Sequence, residues 1–141
     1  MTLKLSVLDQ SPISSGSNAR EALQYTVKLA QLVDKLGYTR FLVSEHHDAR
    51  TLAGSSPEVL VAHLATVTER IRVGSGGVML PHYSAYKVAE NFKVLEALFP
   101  NRIDLGIGRA PGGMPRASYA LNNGEYQKVD HYPEQIEDLL I

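Results

Sequence analysis

The sequence of 141 residues contains no cysteine. Disulfide bonds, thiolate metal sites and a cysteine nucleophile are therefore all excluded. Any redox chemistry carried out by this chain would have to come from a bound cofactor.

The chain also lacks an excess of charge of one sign and a long hydrophobic run. Its formal net charge is -1 and its pI is about 6.5, so we expect neither nucleic acid nor an anionic membrane as a partner. No segment reaches the roughly 18 apolar residues of a membrane span, and the N-terminus does not resemble a signal peptide. We therefore expect no membrane association and a cytoplasmic location.

What the sequence does contain is a regular alternation of strand and helix signals. Strands are predicted at residues 3–8, 40–43, 71–75 and 102–108. A capping box of Asn18 and Glu21 begins the first helix and Gly37 ends it, whereas Pro57 and Ser84 mark the starts of the next two. This alternation predicts parallel strands, arranged either as an open doubly wound sheet or as a section of a barrel.

The C-terminal stretch, residues 132–141, begins a further helix without the glycine or basic residues that usually end one. Four βα units are half of the eight that close a barrel. If the chain is a section of a barrel, residues 1–141 would form a single partial barrel domain that is truncated at its C-terminus.

The densest group of reactive side chains is Glu45, His46 and His47, directly after the second predicted strand. Successive strand residues point to opposite faces, so the two histidines are poorly placed to share a metal ion, and no metal site is predicted. One imidazole could act as a general acid or base or as a hydrogen-bonding group. Alternatively, these are polar strand-end residues that their neighbours satisfy.

Two glycine-rich segments follow the third and fourth strands. Gly76 and Gly77 leave backbone without side-chain bulk, which favours either close approach of a flat ligand or a simple kink in the strand. The segment from Gly106 begins like a dinucleotide-binding fingerprint but has Pro111 instead of the third glycine, so a Rossmann site is disfavoured. Arg109 could bind a phosphate there, or form a surface ion pair.

Several of these segments together resemble the bacterial luciferase-like family of flavin-dependent monooxygenases. The similarity lies in residues 45–47, 71–81, 89–95 and 102–109. Residues 8–12 and 108–113 are most similar to its non-luminescent oxidoreductases. The resemblance covers essentially the whole chain, but only the N-terminal half of a family member.

The resemblance implies a fold and a set of site residues. The fold would be the N-terminal half of a (β/α)8 TIM barrel, with about four parallel strands and alternating helices. The cofactor would be reduced FMN or, in one branch, the deazaflavin F420. His46 corresponds to the catalytic histidine, and Glu45 beside it is expected to be a cofactor-binding residue. Gly76 and Gly77 correspond to a non-prolyl cis peptide against the flavin ring, and Arg109 to a ligand of the FMN phosphate.

The activity implied is oxidation of a small organic substrate by reduced flavin and O2. Light emission is not expected, because Gly108 occupies the position of a reactive cysteine in the luminescent members. The rest of the flavin site would lie in the other half of the barrel, so we expect this chain to be inactive alone. The alternative is a non-catalytic flavin-binding or oligomerising half-barrel, and in either case we expect a homo-oligomer that covers the open face.

Overall fold

The computed structural model describes residues 1–126 and 129–140. Short strands alternate with helices along the chain, and the two longest helices are the first and the third. In chain order the elements are β1 (Ser6–Asp9), α1 (Ala19–Lys35), β2 (Arg40–Val43), α2 (Pro57–Val67), β3 (Arg72–Ser75), β4 (Val78–Met79), α3 (Ala85–Leu98), β5 (Ile103–Asp104), β6 (Ile107–Gly108), α4 (Pro115–Leu121) and α5 (Tyr132–Leu139).

The main sheet has four parallel strands in the order β1-β2-β3-β5, and β4 pairs with β6 in a second, two-stranded sheet. The spatial order of the main sheet follows the order along the chain. A doubly wound sheet would reverse direction after its first strands, whereas a barrel adds each strand on the same side of the previous one. The topology therefore favours the barrel section over the open doubly wound sheet.

The strand register divides the main sheet into two faces with different surroundings. Val7, Phe41, Val73 and Ile103 form one cross-strand row, and Phe41 and Val73 are fully buried against the helices. The neighbouring rows point to the opposite side. We call that side the open face; it is formed by Leu8, Arg40, Leu42, Arg72 and Asp104. Each new strand is added on the same side of the previous one, and each connection is a right-handed crossover. The connecting helices therefore all lie on the first face of the sheet.

Helix α1 begins and ends where the sequence predicts. The backbone N–H of Glu21 donates to Oδ1 of Asn18 at 3.0 Å. The reciprocal half of the predicted capping box is wrong, because the Glu21 carboxylate accepts from the Ser17 hydroxyl at 2.5 Å instead. At the other end Gly37 has a φ of +81°, the left-handed conformation that glycine adopts without a steric penalty.

The side chains of Asp34 and Arg102 hold the turn between α2 and β3 by hydrogen bonds to its backbone. The carboxylate of Asp34 accepts the backbone N–H groups of Glu69, Arg70 and Ile71 at 2.7 to 3.1 Å. Burial raises the pKa of Asp34, but these three hydrogen bonds outweigh it, so the pKa lies below its usual value. The guanidinium of Arg102 covers the carbonyl groups at the end of α2, including that of Ala65 at 2.9 Å.

Two features differ from the prediction. The fourth predicted strand, residues 102–108, is interrupted, since β5 ends at Asp104 and β6 begins at Ile107, and β6 pairs with β4, a short strand that was not predicted after β3. Helix α4 lies in a region for which no helix was predicted, although Pro115 at its first turn is a typical start signal. Helix α5 begins at Tyr132 as predicted, and residue 141 of that prediction lies outside the described residues.

Candidate functional site

Three loops meet at the carboxyl end of the main sheet. The backbone N–H of His47 donates to the carbonyl of Gly112 at 2.8 Å, which joins the loop after β6 to the end of β2. The N–H of Met79 donates to Oε1 of Glu45 at 3.2 Å, which joins β4 to the same strand end. The sequence-predicted residues of the three loops are thus brought to one end of the sheet, where α/β proteins place their ligands.

Glu45 is the centre of this region, and its side chain is fully buried. Besides the Met79 N–H, its carboxylate accepts from Nε2 of His47 at 2.7 Å and from the Tyr83 hydroxyl at 2.8 Å. Burial, followed by the charge of Glu45, raises the pKa of Tyr83 well above its ordinary value. The Tyr83 hydroxyl therefore keeps its proton and donates a hydrogen bond to Glu45.

The structure distinguishes the two adjacent histidines. His47 is committed to Glu45 through Nε2, and its side chain is only 12% exposed. The backbone N–H of His46 donates to the carbonyl of Gly54 at 2.9 Å, whereas its side-chain Nε2 is buried and has no hydrogen-bond partner in the described part of the chain. A buried polar atom without a partner is uncommon and is often found at functional sites. Of the two adjacent histidines, His46 is thus the one whose buried Nε2 is unpaired among the described residues.

The glycine pair lies where two chain segments approach closely. The peptide bond between Gly76 and Gly77 is cis. A Cβ atom on Gly77 would lie 2.9 Å from the carbonyl carbon of Gly106, so no other residue fits without displacing that segment. The hydroxyl of Ser75 donates to the carbonyl of Gly106 at 2.8 Å and accepts from its N–H at 3.0 Å. Ser75 thereby bridges the gap between β5 and β6.

Arg109 follows β6 directly and is exposed. Within residues 1–126 and 129–140 it makes no hydrogen bond and no ion pair, so the surface ion pair considered from sequence is absent there. Its guanidinium therefore remains available to an anion at this end of the sheet.

Sequence reasoning missed His82 and Asn122, which fix the loop beyond Arg109. Nε2 of His82 donates to the carbonyl of Pro111 at 2.6 Å, and Nδ1 accepts from the Asn122 amide at 3.0 Å. These partners fit the tautomer of His82 with a proton on Nε2. The His82 ring lies edge-on to that of His47, with 5.8 Å between their centres. His82 lies three residues after the end of β4, on the loop at the carboxyl end of that strand, and this position is the signal that could have found it.

The described residues also bear on metals and membranes. Among residues 1–126 and 129–140 there is no group of three histidine, aspartate or glutamate side chains that could hold a metal ion. In the same ranges no helix combines the length and the apolar character needed to cross a bilayer.

Comparison of the sequence with known proteins identifies its relatives. A sequence model of the luciferase-like monooxygenases matches residues 2–131. The uncharacterized protein YwcH of Bacillus subtilis is 69% identical over 137 residues, which are 97% of this chain and 41% of that protein. The N-acetyl-S-alkylcysteine monooxygenase of the same organism is 54% identical over 138 residues, which are again 97% of this chain and 41% of that protein. The chain thus spans about two-fifths of the length of these curated relatives.

Solved structures give the same result for the fold. Apo-MsnO8 superposes with a TM-score of 0.94 at 45% identity, and 99% of this chain covers 42% of it. The oxygenating constituent of 3,6-diketocamphane monooxygenase from Pseudomonas putida, solved with FMN, has a TM-score of 0.81 at 25% identity, covering 99% and 38%. An F420-dependent secondary alcohol dehydrogenase shares the fold alone, with a TM-score of 0.69 at 15% identity. The superposition covers 99% of this chain and 40% of that protein.

These comparisons confirm the predicted fold, because the monooxygenases that match are TIM barrels of which this chain covers only about 40%. The four parallel strands and the helices on one of their faces are a section of such a barrel. With the family model matching nearly the whole chain and relatives at 69% and 54% identity, this protein belongs to the luciferase-like monooxygenase family.

Proposed function

We propose that this chain forms one wall of the active site of a flavin-dependent monooxygenase that oxidises a small organic substrate with O2. The observation that carries the proposal is the unpaired, buried Nε2 of His46 at the carboxyl end of the sheet. Its neighbours Glu45 and His47 satisfy each other at 2.7 Å, so His46 alone of the three is free for chemistry. A group of this kind can hold or transfer a proton near neutral pH.

The residues present fit a flavin. The exposed, unpaired guanidinium of Arg109 can bind the FMN phosphate, and the side-chain-free backbone of Gly76 and Gly77 can lie against the flavin ring. When bound, reduced FMN supplies the electrons with which O2 is activated. We favour FMN because the neighbour solved with FMN is 25% identical and the F420 enzyme only 15%. F420 remains the alternative within the same class.

Glu45 would act on the cofactor site through its neighbours. Its side chain has no exposed surface, and its carboxylate is occupied by His47, Tyr83 and the Met79 N–H. The proposed role is to fix the backbone that leaves β4 relative to the end of β2. The carboxylate thereby positions His46 and the glycine pair without touching the flavin.

The chain by itself is proposed to be inactive, because the strands that complete the site are not part of it. We expect weak or undetectable FMN binding to residues 1–141 in a fluorescence titration. Tight binding at one FMN per chain would contradict this inactivity.

The enzymatic proposal is tested in a chimera, namely YwcH with its matched segment replaced by this chain. His46→Asn should reduce flavin-dependent substrate oxidation at least 100-fold, the effect of losing a proton-transferring group, while the Kd for FMN changes little. His47→Asn is the matched control and should mainly lower thermal stability. If His46→Asn leaves turnover unchanged, the enzymatic role of His46 is wrong. Parallel titrations with FMN and F420 separate the two cofactors.

The second candidate function is a non-catalytic half-barrel that binds flavin or self-associates. The observation that favours it is the open face, on which Leu8 is 56% exposed. Sedimentation of the purified chain tests the expected homo-oligomer, and a sharp monomer at all concentrations would refute it. The cytoplasmic location stays a prediction from the sequence and is tested by cell fractionation.

A further inference from the structure

The open face of the sheet carries an arrangement of charges that the proposed chemistry does not use. Arg40 and Arg72 are register partners on neighbouring strands, and Asp104 lies opposite Gly74 on the next strand. Because Gly74 has no side chain, the carboxylate of Asp104 can reach both arginines. A Cβ on Gly74 would lie 2.8 Å from the Cβ of Asp104 and would close this route.

The carboxylate of Asp104 is fully used within this cluster. Oδ2 accepts from Nε of Arg40 and from Nε of Arg72, both at 2.9 Å, and Oδ1 accepts from Nη2 of Arg72 at 2.7 Å. Hydrogen bonding from Arg72 is the main cause that lowers the pKa of Asp104, so the carboxyl stays ionised. The hydrogen-bonded groups of the cluster, two cations and one anion, have a net charge of +1; the Glu96 carboxylate also attracts Arg72 but makes no hydrogen bond to it.

The uncompensated charge lies on Arg40. Arg72 also donates through Nη1 to the carbonyl of Asn101 at 2.6 Å and through Nη2 to that of Ile103 at 2.9 Å. The Nη1 and Nη2 groups of Arg40 have no acceptor within residues 1–126 and 129–140, and the side chain is 44% exposed. Solvent hydrates these groups as long as the face stays open.

A parallel sheet is normally covered on both faces. Any layer that covers this face removes water from the Nη groups of Arg40, and because Arg40 shares its one counter-ion, Asp104, with Arg72, burying these donors without a further acceptor is strongly unfavourable. The covering layer therefore has to supply an acceptor for the Nη groups of Arg40, and the net charge of +1 favours a carboxylate as that acceptor.

We propose that the open face receives a polypeptide whose aspartate or glutamate pairs with the Nη groups of Arg40, and that this polypeptide corresponds to the part of the relatives that this chain does not span. The size of that part supports the choice, since the matched segment is only 41% of YwcH. A second copy of the chain fits less well. It would place another cluster of charge +1 opposite the first, and its Asp104 would already be occupied.

Covalent labelling of arginine with phenylglyoxal, followed by mass spectrometry, measures whether Arg40 is accessible and so tests which polypeptide covers the open face. In the 141-residue chain Arg40 should react readily, and in the YwcH chimera its labelling should fall at least tenfold. Arg20, exposed on α1 at the other side of the sheet, is the control and should react equally in both. The unmatched part of YwcH, added to the chain as a separate polypeptide, is a second probe that should protect Arg40.

Substitution tests the carboxylate. In the chimera Arg40→Met should shift the unfolding equilibrium toward the unfolded state by about 100-fold, because it leaves the partner's carboxylate buried and unpaired. Arg40→Lys keeps the charge and should lose clearly less. In the 141-residue chain, where Asp104 retains Arg72, the same Arg40→Met change should have a much smaller effect.

Three outcomes would overturn the proposal. Arg40 that remains reactive in the chimera and with the separate polypeptide would show that no such cover exists. Protection of Arg40 by raising the concentration of the 141-residue chain alone would identify a second copy as the occupant. Protection combined with a neutral Arg40→Met change would mean that no carboxylate is involved. None of these readouts depends on flavin chemistry.

Discussion

Tyr83 donates a hydrogen bond of 2.8 Å to Oε2 of Glu45, across 38 residues of sequence. The bond connects the end of β2, which His46 follows, to the turn after β4, and the glycine pair lies just before β4. A buried carboxylate holds such segments together only when each of its donors is in place, since a lost donor leaves the anion partly unsatisfied.

Tyr83→Phe should therefore destabilise the chain by about 1–3 kcal/mol, because it removes a donor from a buried anion while it keeps the ring. Urea denaturation followed by circular dichroism measures the effect. Tyr86→Phe removes a hydroxyl from a tyrosine that is 74% exposed, and it should be neutral. Equal effects of the two substitutions would show that the Glu45–Tyr83 bond contributes nothing to stability.

Ser75→Ala should cost about 1–2 kcal/mol, because both the N–H and the carbonyl of Gly106 lose their serine partner. Hydrogen exchange should show faster exchange of the Gly106 amide, whereas the amides of α1 remain protected. Ser15→Ala, in an exposed loop, is the matched control. Unchanged exchange at Gly106 would mean that its amide does not depend on the Ser75 hydroxyl.

Asp34→Asn tests the acid dependence of stability. The folded pKa of Asp34 lies below its ordinary value, so its contribution is complete above the pKa of the unfolded chain, about 3.9, and is lost as the pH falls through the folded pKa. The substitution should lower stability at neutral pH and flatten the decline of stability in acid. Unfolding measured from neutral pH down to about pH 3 gives the stability at neutral pH and its decline in acid. Asp138→Asn, on the exposed side of α5, should leave the profile unchanged.

Arg102→Met should destabilise the fold by about 2–3 kcal/mol, since it leaves carbonyl groups at the end of α2 without donors. The lost bonds run to Ala65, to Thr68 and to Ile71 at 2.7 to 3.2 Å. Thermal unfolding measures the change. Arg70→Met alters an exposed side chain of the same turn and serves as its control. A loss no larger than that of the control would contradict the capping role.

Much of the candidate site could be predicted from the sequence because its residues follow strands directly. Parallel strands place their carboxyl ends at one edge, so residues 45–47, Gly76 and Arg109 were expected to converge, and the three loops that carry them do meet there. The roles of these residues toward a flavin remain predictions. His82, Tyr83 and Asn122 were not predicted, since their partners are 29, 38 and 40 residues away and no local pattern marks such pairs.

The sequence by itself determined the alternation of strands and helices, the ends of α1 and the family of the protein, because these depend on local periodicity, capping residues and short motifs. Only the tertiary structure decided which of the two adjacent histidines is paired, where the fourth predicted strand breaks, and that the Nη groups of Arg40 have no acceptor among the described residues. Each of these depends on contacts between segments far apart in sequence. Whether His46 or His47 reaches Glu45 is a matter of side-chain direction and packing, which adjacent residues of the same type cannot reveal.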